Sequence, residues 1–378
     1  MRRKYQNVIV PLLIVVLASS FLVGCGGKGG QEVKVGSIAP LTGPLSTYGQ
    51  SHKDAVDLAV EQINEKGGLL GKQVVIVHED SQGDPVVGVN AAQKLIEQDG
   101  VVAVVGPIPS KIGMAVAPIA EESGVPIVVT GTSPQITPGK DFVFRSCWTD
   151  DFQGVVMAKF AYEELGAATA AILYDLGNDY AKSVSEIFAS TFEELGGTVV
   201  AMETHPTDAT DFRAQLTNIK AASPDVFFFP DFYNDASLIG RQAVELGLEA
   251  QFLGADGWDS PELDLETLDG AYYCSHFSKE DPRAETRAFI DDFTAKFGAE
   301  PDLLAIMGYD AALVAFDAIS RAGSVDGEAV REAMASTSSL PAAQGDITFD
   351  ENGDPTTLPA AILQIENGST NYVMTFQP

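Results

Sequence analysis

Two short runs concentrate the side chains that could do chemistry. His78-Glu79-Asp80 offers an imidazole and two carboxylates in succession, a set that a divalent metal could take. The run is strand-like, however, and successive strand residues point to opposite faces, so the three cannot converge on one ion. Asp350-Glu351-Asn352-Gly353-Asp354 starts like a calcium-binding loop, but Pro355 stands where an EF-hand needs glycine. The four histidines (His52, His78, His205, His276) are scattered, and Cys25, Cys147 and Cys274 form no CxxC pair, so a structural zinc site is not expected. The chain carries no HExxH, no G-x-S-x-G and no P-loop, and no Cys/His pair suits a nucleophile and its base. Neither catalysis nor a cofactor is expected. What remains is recognition. Ser110 opens a helical stretch directly after the apolar run 101–105, and Thr130-Gly131-Thr132 follows the next such run, 126–129. A helix N-terminus at the C-terminal rim of a sheet offers backbone N–H groups to an anion. The glycine allows close backbone approach, and the threonines add hydroxyls. A plain helix cap is the other reading of Ser110.

These groups can meet only if the runs around them fold as alternating strands and helices. Strands are expected at 33–38, 73–78, 101–105 and 126–129. Helices are expected at 47–65, at 85–98 with Asp84 as the cap, and at 110–122. A second set follows the stretch 142–148: helices 150–165, 180–195, 212–222 and 236–246 alternate with strands 168–174, 198–203, 226–229 and 251–253. This order implies an α/β protein with two doubly wound parallel-sheet lobes, helices covering both faces of each sheet. After 271–277 come helices 283–297, 303–322 and 327–335. A tail of strands at 345–349 and 360–374, with Asn352-Gly353 and Asn367-Gly368 turns, completes the existing lobes.

A chain of 378 residues has the size of two domains. Its 53 acidic against 23 basic residues give a net charge of -30, which repels phosphate backbones and anionic lipid heads, so nucleic-acid binding is not expected. The first residues read differently. Arg2, Arg3 and Lys4 precede an apolar run, 8–23, that is shorter than the roughly 20 apolar residues of a spanning helix. It ends in Leu22-Val23-Gly24-Cys25, which matches a bacterial lipobox: small residues admit the chain to a signal peptidase, and the Cys25 thiol takes a diacylglyceryl group. Residues 1–24 are thus expected to be a lipoprotein signal peptide and 25–32 a glycine-rich tether. The protein would be exported and anchored by lipid at Cys25, facing the periplasm or the cell exterior. Gly24, Gly26 and Gly29 fit G-x-G-x-x-G by accident, with no strand before them and no helix after.

A family resemblance runs, in order, across the mature chain. Its segments are Val35 to Gly49 (VGSIAPLTGPLSTYG), Ile63-Asn64-Glu65-Lys66-Gly67-Gly68, His78-Glu79-Asp80 with Asp84-Pro85, and Val105-Gly106-Pro107 with Ser110. Pro126 to Pro134, Pro224-Asp225-Val226 and Tyr309-Asp310-Ala311 complete the set. Together they resemble the branched-chain amino-acid-binding proteins of ABC importers. The resemblance implies the type I periplasmic binding protein fold: two lobes, a three-segment hinge and a ligand cleft between the lobes. Crossings would fall near 145–148, 274–277 and 342–345. Lobe one would then hold 33–146 and 275–344, and lobe two 147–274 and 345–378. By the same resemblance Ser110, Thr130 and Thr132, with Gly131 between, hold the α-groups of an amino acid on lobe one. Asp256 stands where the family usually has glutamate, which makes it the ammonium partner on lobe two, one methylene shorter. Tyr180 matches a ligand-contacting tyrosine. Phe232 matches another that has lost its hydroxyl, with Tyr233 next door as the replacement. Tyr48 and Ile108 match positions of the side-chain pocket. The implied function is a monomeric substrate-binding lipoprotein that delivers an apolar amino acid to importer permease subunits. A different small ligand (amide, urea, aromatic acid) and a sensor of the same fold are the alternatives. Export permits a disulfide, and Cys147 and Cys274 both fall on expected crossings, but two buried free thiols are favoured over a bridge.

Overall fold

The structure, a computed structural model, describes residues 32–378; the signal peptide, Cys25 and nearly all of the tether lie outside the described residues. The first lobe begins with β1 (Val33–Ala39), α1 (Ser46–Glu65), β2 (Val74–Asp80) and α2 (Pro85–Gln93), which continues as a wider π-helical turn over Lys94–Asp99. β3 (Val104–Gly106), α3 (Ser110–Ser123), β4 (Ile127–Val129) and β5 (Val143–Arg145) follow. These strands form a parallel sheet in the order β2-β1-β3-β4-β5. Its central strands are buried on both faces, which is why they read as unbroken apolar runs rather than alternating ones. Pro85 at the first turn of α2 lacks the N–H that would be orphaned there, and the Asp84 carboxylate accepts from the N–H of Val86 and of Val87.

The second lobe takes α4 (Asp150–Lys159), β6 (Thr169–Asp175), α5 (Asp179–Glu194), β7 (Thr198–His205), α6 (Arg213–Ala222), β8 (Val226–Phe228), α7 (Tyr233–Glu245), β9 (Gln251–Gly254) and β10 (Tyr272–Ser275). The chain then returns to the first lobe with α8 (Ala284–Phe297), α9 (Leu303–Ala322) and α10 (Gly327–Ala335), α9 packing on α1, β3 and β4. It ends in β11 (Ala360–Glu366) and β12 (Ser369–Phe376). The second sheet runs β12-β11-β10-β9-β8-β6-β7, parallel from β10 to β7 and antiparallel at its β11–β12 edge. The two doubly wound lobes expected from the alternation are therefore present. α9 is long and apolar enough to cross a membrane, but 78% of its most apolar window is buried inside the fold, and it is a core helix.

The chain passes between the lobes after β5, after β10 and once more before β11. The third passage comes later than the expected 342–345. Residues 345–355 remain on lobe one: Phe349 packs on Phe144 with ring centroids 5.5 Å apart, the Gly353 carbonyl accepts from the Arg145 N–H at 3.0 Å, and Asp354 meets the Arg145 guanidinium at 2.8 Å. Arg145 is buried, and the carboxylate that pairs with it, Asp354, belongs to this segment. The strand expected at 345–349 is reduced to isolated bridges, Leu340 with Ile347 and Phe349 with Pro355. Cys147 and Cys274 are both buried free thiols.

Candidate functional site

His78, Glu79 and Asp80 diverge as their strand requires. His78 pairs with Asp57 and Glu79 with Lys94, while Asp80 accepts from the backbone N–H groups of Leu41 and Thr42. Asp350 and Asp354 serve their own turn and Arg145. Neither run is a centre of recognition.

The candidate site lies instead at the rim of lobe one. α3 is capped by Pro109, with no side-chain hydrogen bond at the cap. Ser110 is the first residue of the helix, and its Oγ accepts instead from the Ser133 N–H at 3.2 Å. The plain-cap reading of Ser110 therefore fails; the N–H groups of Ile112 and Gly113 donate to the Pro109 carbonyl at 2.8 and 3.2 Å, and those of Ser110 and Lys111 ahead of them are the ones the helix end offers. Gly131 explains how the next loop comes so close. A Cβ there would stand 2.8 Å from the Cα of Ser110, in contact with backbone rather than with a movable side chain. Thr130 donates its hydroxyl to the Gly106 carbonyl at 3.0 Å. Arg145 clamps this loop from behind, donating to the carbonyls of Gly131 and Ser133. Sequence reasoning missed this role, whose only trace is a lone arginine at the end of an apolar strand.

The facing wall comes from lobe two. β9 ends in a single 3₁₀ turn, Asp256–Trp258, which turns the Asp256 carboxylate inward, 3% exposed. Its backbone N–H donates to Gln153 at 3.2 Å, and its Oδ2 lies 3.0 Å from His276 Nε2. The Tyr180 hydroxyl accepts from the Gly257 N–H at 2.9 Å, and its ring stacks on Phe232 at 5.2 Å. Burial raises the Tyr180 phenol far above its usual range, and the Asp256 charge adds to this, so it stays a neutral hydroxyl.

The two walls touch. Tyr48 of lobe one donates to the Gly257 carbonyl at 2.5 Å, and Tyr233 of lobe two to the Pro44 carbonyl at 3.0 Å. The arrangement is the closed one. Between the walls lies a cavity. Of the ten ligand-binding candidates, Tyr48, Ile108, Ser110, Thr130, Gly131, Thr132, Tyr180, Phe232 and Asp256 line it. Tyr233 does not. Its hydroxyl is taken by Pro44 and its ring packs edge-on against Tyr48 at 4.9 Å, so it cannot stand in for the hydroxyl that Phe232 lacks. Leu303, Leu304 and Met307 of α9 also line the cavity, as do Pro40, Leu45, Pro109 and Gly257. No local signal distinguishes the apolar start of α9, which faces the cavity, from the rest of that helix, which faces the core.

Asp150 lies behind the rim, fully buried at the start of α4, its N–H donating to the Thr132 carbonyl at 2.9 Å and its carboxylate accepting from Gln153 at 2.9 Å. Burial, reinforced by the Asp256 charge, pushes its carboxyl up to about 8. A raised carboxyl holds its proton more tightly when folded than when unfolded. Its contribution to stability therefore falls as pH rises from about 4 to about 8. Asp150→Asn keeps the Gln153 contact and removes the titration. The variant should melt close to wild type at pH 5 and above it at pH 9; a difference in melting midpoint that ignores pH would contradict this.

With the fold and cleft in place, the class is defined: two α/β lobes closed on a small cavity make a solute-binding protein. Residues 32–370 match the family model described as periplasmic binding protein, and the chain belongs to that family, whose members are binding proteins rather than enzymes. It is 33% identical over 342 residues to the Leu/Ile/Val-binding protein BraC3 of Rhizobium johnstonii, covering 89% of this chain and 92% of that one. Among solved structures it resembles a leucine-binding protein, LivK, from Thermotoga maritima, with 36% identity, a TM-score of 0.86 and coverage of 92% and 99% of the two chains. It also resembles LivJ from Streptococcus pneumoniae in complex with isoleucine, with 28% identity, a TM-score of 0.87 and coverage of 92% and 100%.

Proposed function

We propose that this protein captures a free amino acid with a branched or other apolar side chain and delivers it, as a monomeric lipoprotein outside the cytoplasm, to the permease subunits of an ABC importer. The observation that carries the reading is the facing of Asp256 against the Ser110, Thr130 and Thr132 rim in one cavity. The rim supplies donors for an α-carboxylate, and Asp256 supplies the countercharge for an ammonium. Ile108, Leu303, Leu304 and Met307 leave an apolar wall for the side chain. The amino-acid names of the relatives support the same reading.

Binding begins on lobe one, where the carboxylate finds backbone donors, and lobe two closes afterwards, bringing Asp256 and Tyr180 onto the ligand. Only interactions that form as the lobes close favour the closed form. Calorimetric titration with each common amino acid tests this. Leucine, isoleucine or valine should bind most tightly, and charged amino acids should bind weakly or not at all. A protein that takes an amide, urea or aromatic acid and ignores amino acids would overturn it. The anchoring half of the proposal rests on the Leu22-Val23-Gly24-Cys25 lipobox. Cys25→Ala should abolish acylation and release the protein from membranes; an acylated, membrane-bound variant would contradict it.

A further inference from the structure

Asp256 is held by more than its own turn. Its Oδ2 accepts at 3.0 Å from Nε2 of His276, a buried residue of the second passage between the lobes. The His276 ring stacks on Trp148, with centroids 3.7 Å apart and planes 10° from parallel. Trp148 belongs to the first passage, and its indole N–H donates at 3.2 Å to the carbonyl of Pro359, in the third. One carboxylate of the cleft is thus joined, through one imidazole and one indole, to all three segments of the hinge. The remaining imidazole nitrogen, Nδ1, is buried with no hydrogen-bond partner among the described residues. The neutral tautomer with hydrogen on Nε2 leaves only an acceptor unpaired. An Nε2–H donor at this place fixes the orientation of the carboxylate.

We infer that His276 is a positioning residue that presents the Asp256 carboxylate to the ligand's ammonium and ties its orientation to the hinge. The inference rests on the amino-acid reading of the cleft and deepens it. Because His276 bonds Asp256 from the hinge, any shift of that carboxylate between ligand-free and ligand-bound forms is felt at the Trp148 stack, a contiguous physical link rather than a matter of distance.

The test uses leucine titrations of wild type, His276→Phe, His276→Gln, Asp256→Asn and the double variant Asp256→Asn/His276→Phe. Phenylalanine keeps a ring for Trp148 but donates nothing, so affinity should fall by about 10- to 100-fold, the worth of a hydrogen bond to a charged group. Glutamine retains an N–H and should restore most of the loss. With Asp256→Asn already in place, His276→Phe should change affinity less than about twofold, because the charge being positioned is gone. The carboxylate left unpaired by His276→Phe should lower ligand-free melting somewhat, but at a titration temperature where every variant is folded a purely structural role would leave affinity unchanged. Equal affinity in His276→Phe and wild type, no rescue by glutamine, or the same loss in the Asp256→Asn background would overturn the inference while leaving the functional reading intact. Wild type that binds no amino acid would end both. Side-chain nitrogen NMR of the wild type, which depends on no variant folding, should find hydrogen on His276 Nε2, facing Asp256; a ring with no hydrogen on Nε2 would also overturn it.

Discussion

Asp256→Ala should weaken amino-acid binding by about 2–5 kcal/mol, the range for truncating one partner of a buried charge pair. The carboxylate is nearly inaccessible, faces the rim donors of the opposite lobe and lies in the cavity they share. Without it a bound ammonium would be desolvated with no countercharge, which costs more than the lost attraction alone. The variant should still fold. Its apolar core is unchanged, and the His276 Nε2–H left without an acceptor costs about 1–3 kcal/mol. Scattering at matched leucine concentration should show less compaction than in wild type, since Asp256 acts mainly after the lobes approach. Calorimetry that finds unchanged affinity would remove Asp256 from the site and leave lobe closure without its principal electrostatic contact.

Arg145→Ala should have the largest effect on folding, a loss of about 3–5 kcal/mol. The guanidinium is fully buried and reaches Asp354, Gly131 and Ser133 at once. Removal strands a largely buried carboxylate and two carbonyls, and opens a cavity behind the rim. Arg145→Lys should recover little of this, because a single ammonium cannot span acceptors arranged for a planar fork. Since the clamp also sets the backbone of residues 131–133, binding should weaken along with stability. Urea unfolding with a stability change under about 1 kcal/mol would show that the loop holds its shape without Arg145.

The alternation of strands and helices was legible because each element repeats a local signal: apolar runs for buried parallel strands, periodic faces for helices, Asp84-Pro85 for a helix start. The lobe-one rim was legible for a related reason, since Ser110 and Thr130 to Thr132 follow strands directly and so must emerge at one edge of one sheet. What escaped depended on partners far apart in the chain. The late third passage goes with the pairing of Arg145 and Asp354, 209 residues away. The engagement of Tyr233 with Pro44 spans 189 residues, and that of Asp256 with Gln153 spans 103. His276 looked like a scattered histidine because nothing local shows that β10 ends beside Asp256. The cap reading of Ser110 failed because its hydroxyl is taken by the N–H of Ser133, a residue of a different loop.

A cleft that recognises both charged groups of an amino acid, one from each lobe, must distinguish a ligand that has both from one that lacks the ammonium. The direct measurement is parallel calorimetric titration of leucine and of 4-methylpentanoate, which is leucine without its ammonium. Both carry the same carboxylate for the lobe-one rim and the same side chain for the apolar wall. Leucine should bind at least about 30-fold more tightly, the lower bound set by a lost buried charge pair. Equal binding of the two, or a preference for the acid, would mean that Asp256 does not meet an ammonium and that the cleft serves another class of ligand.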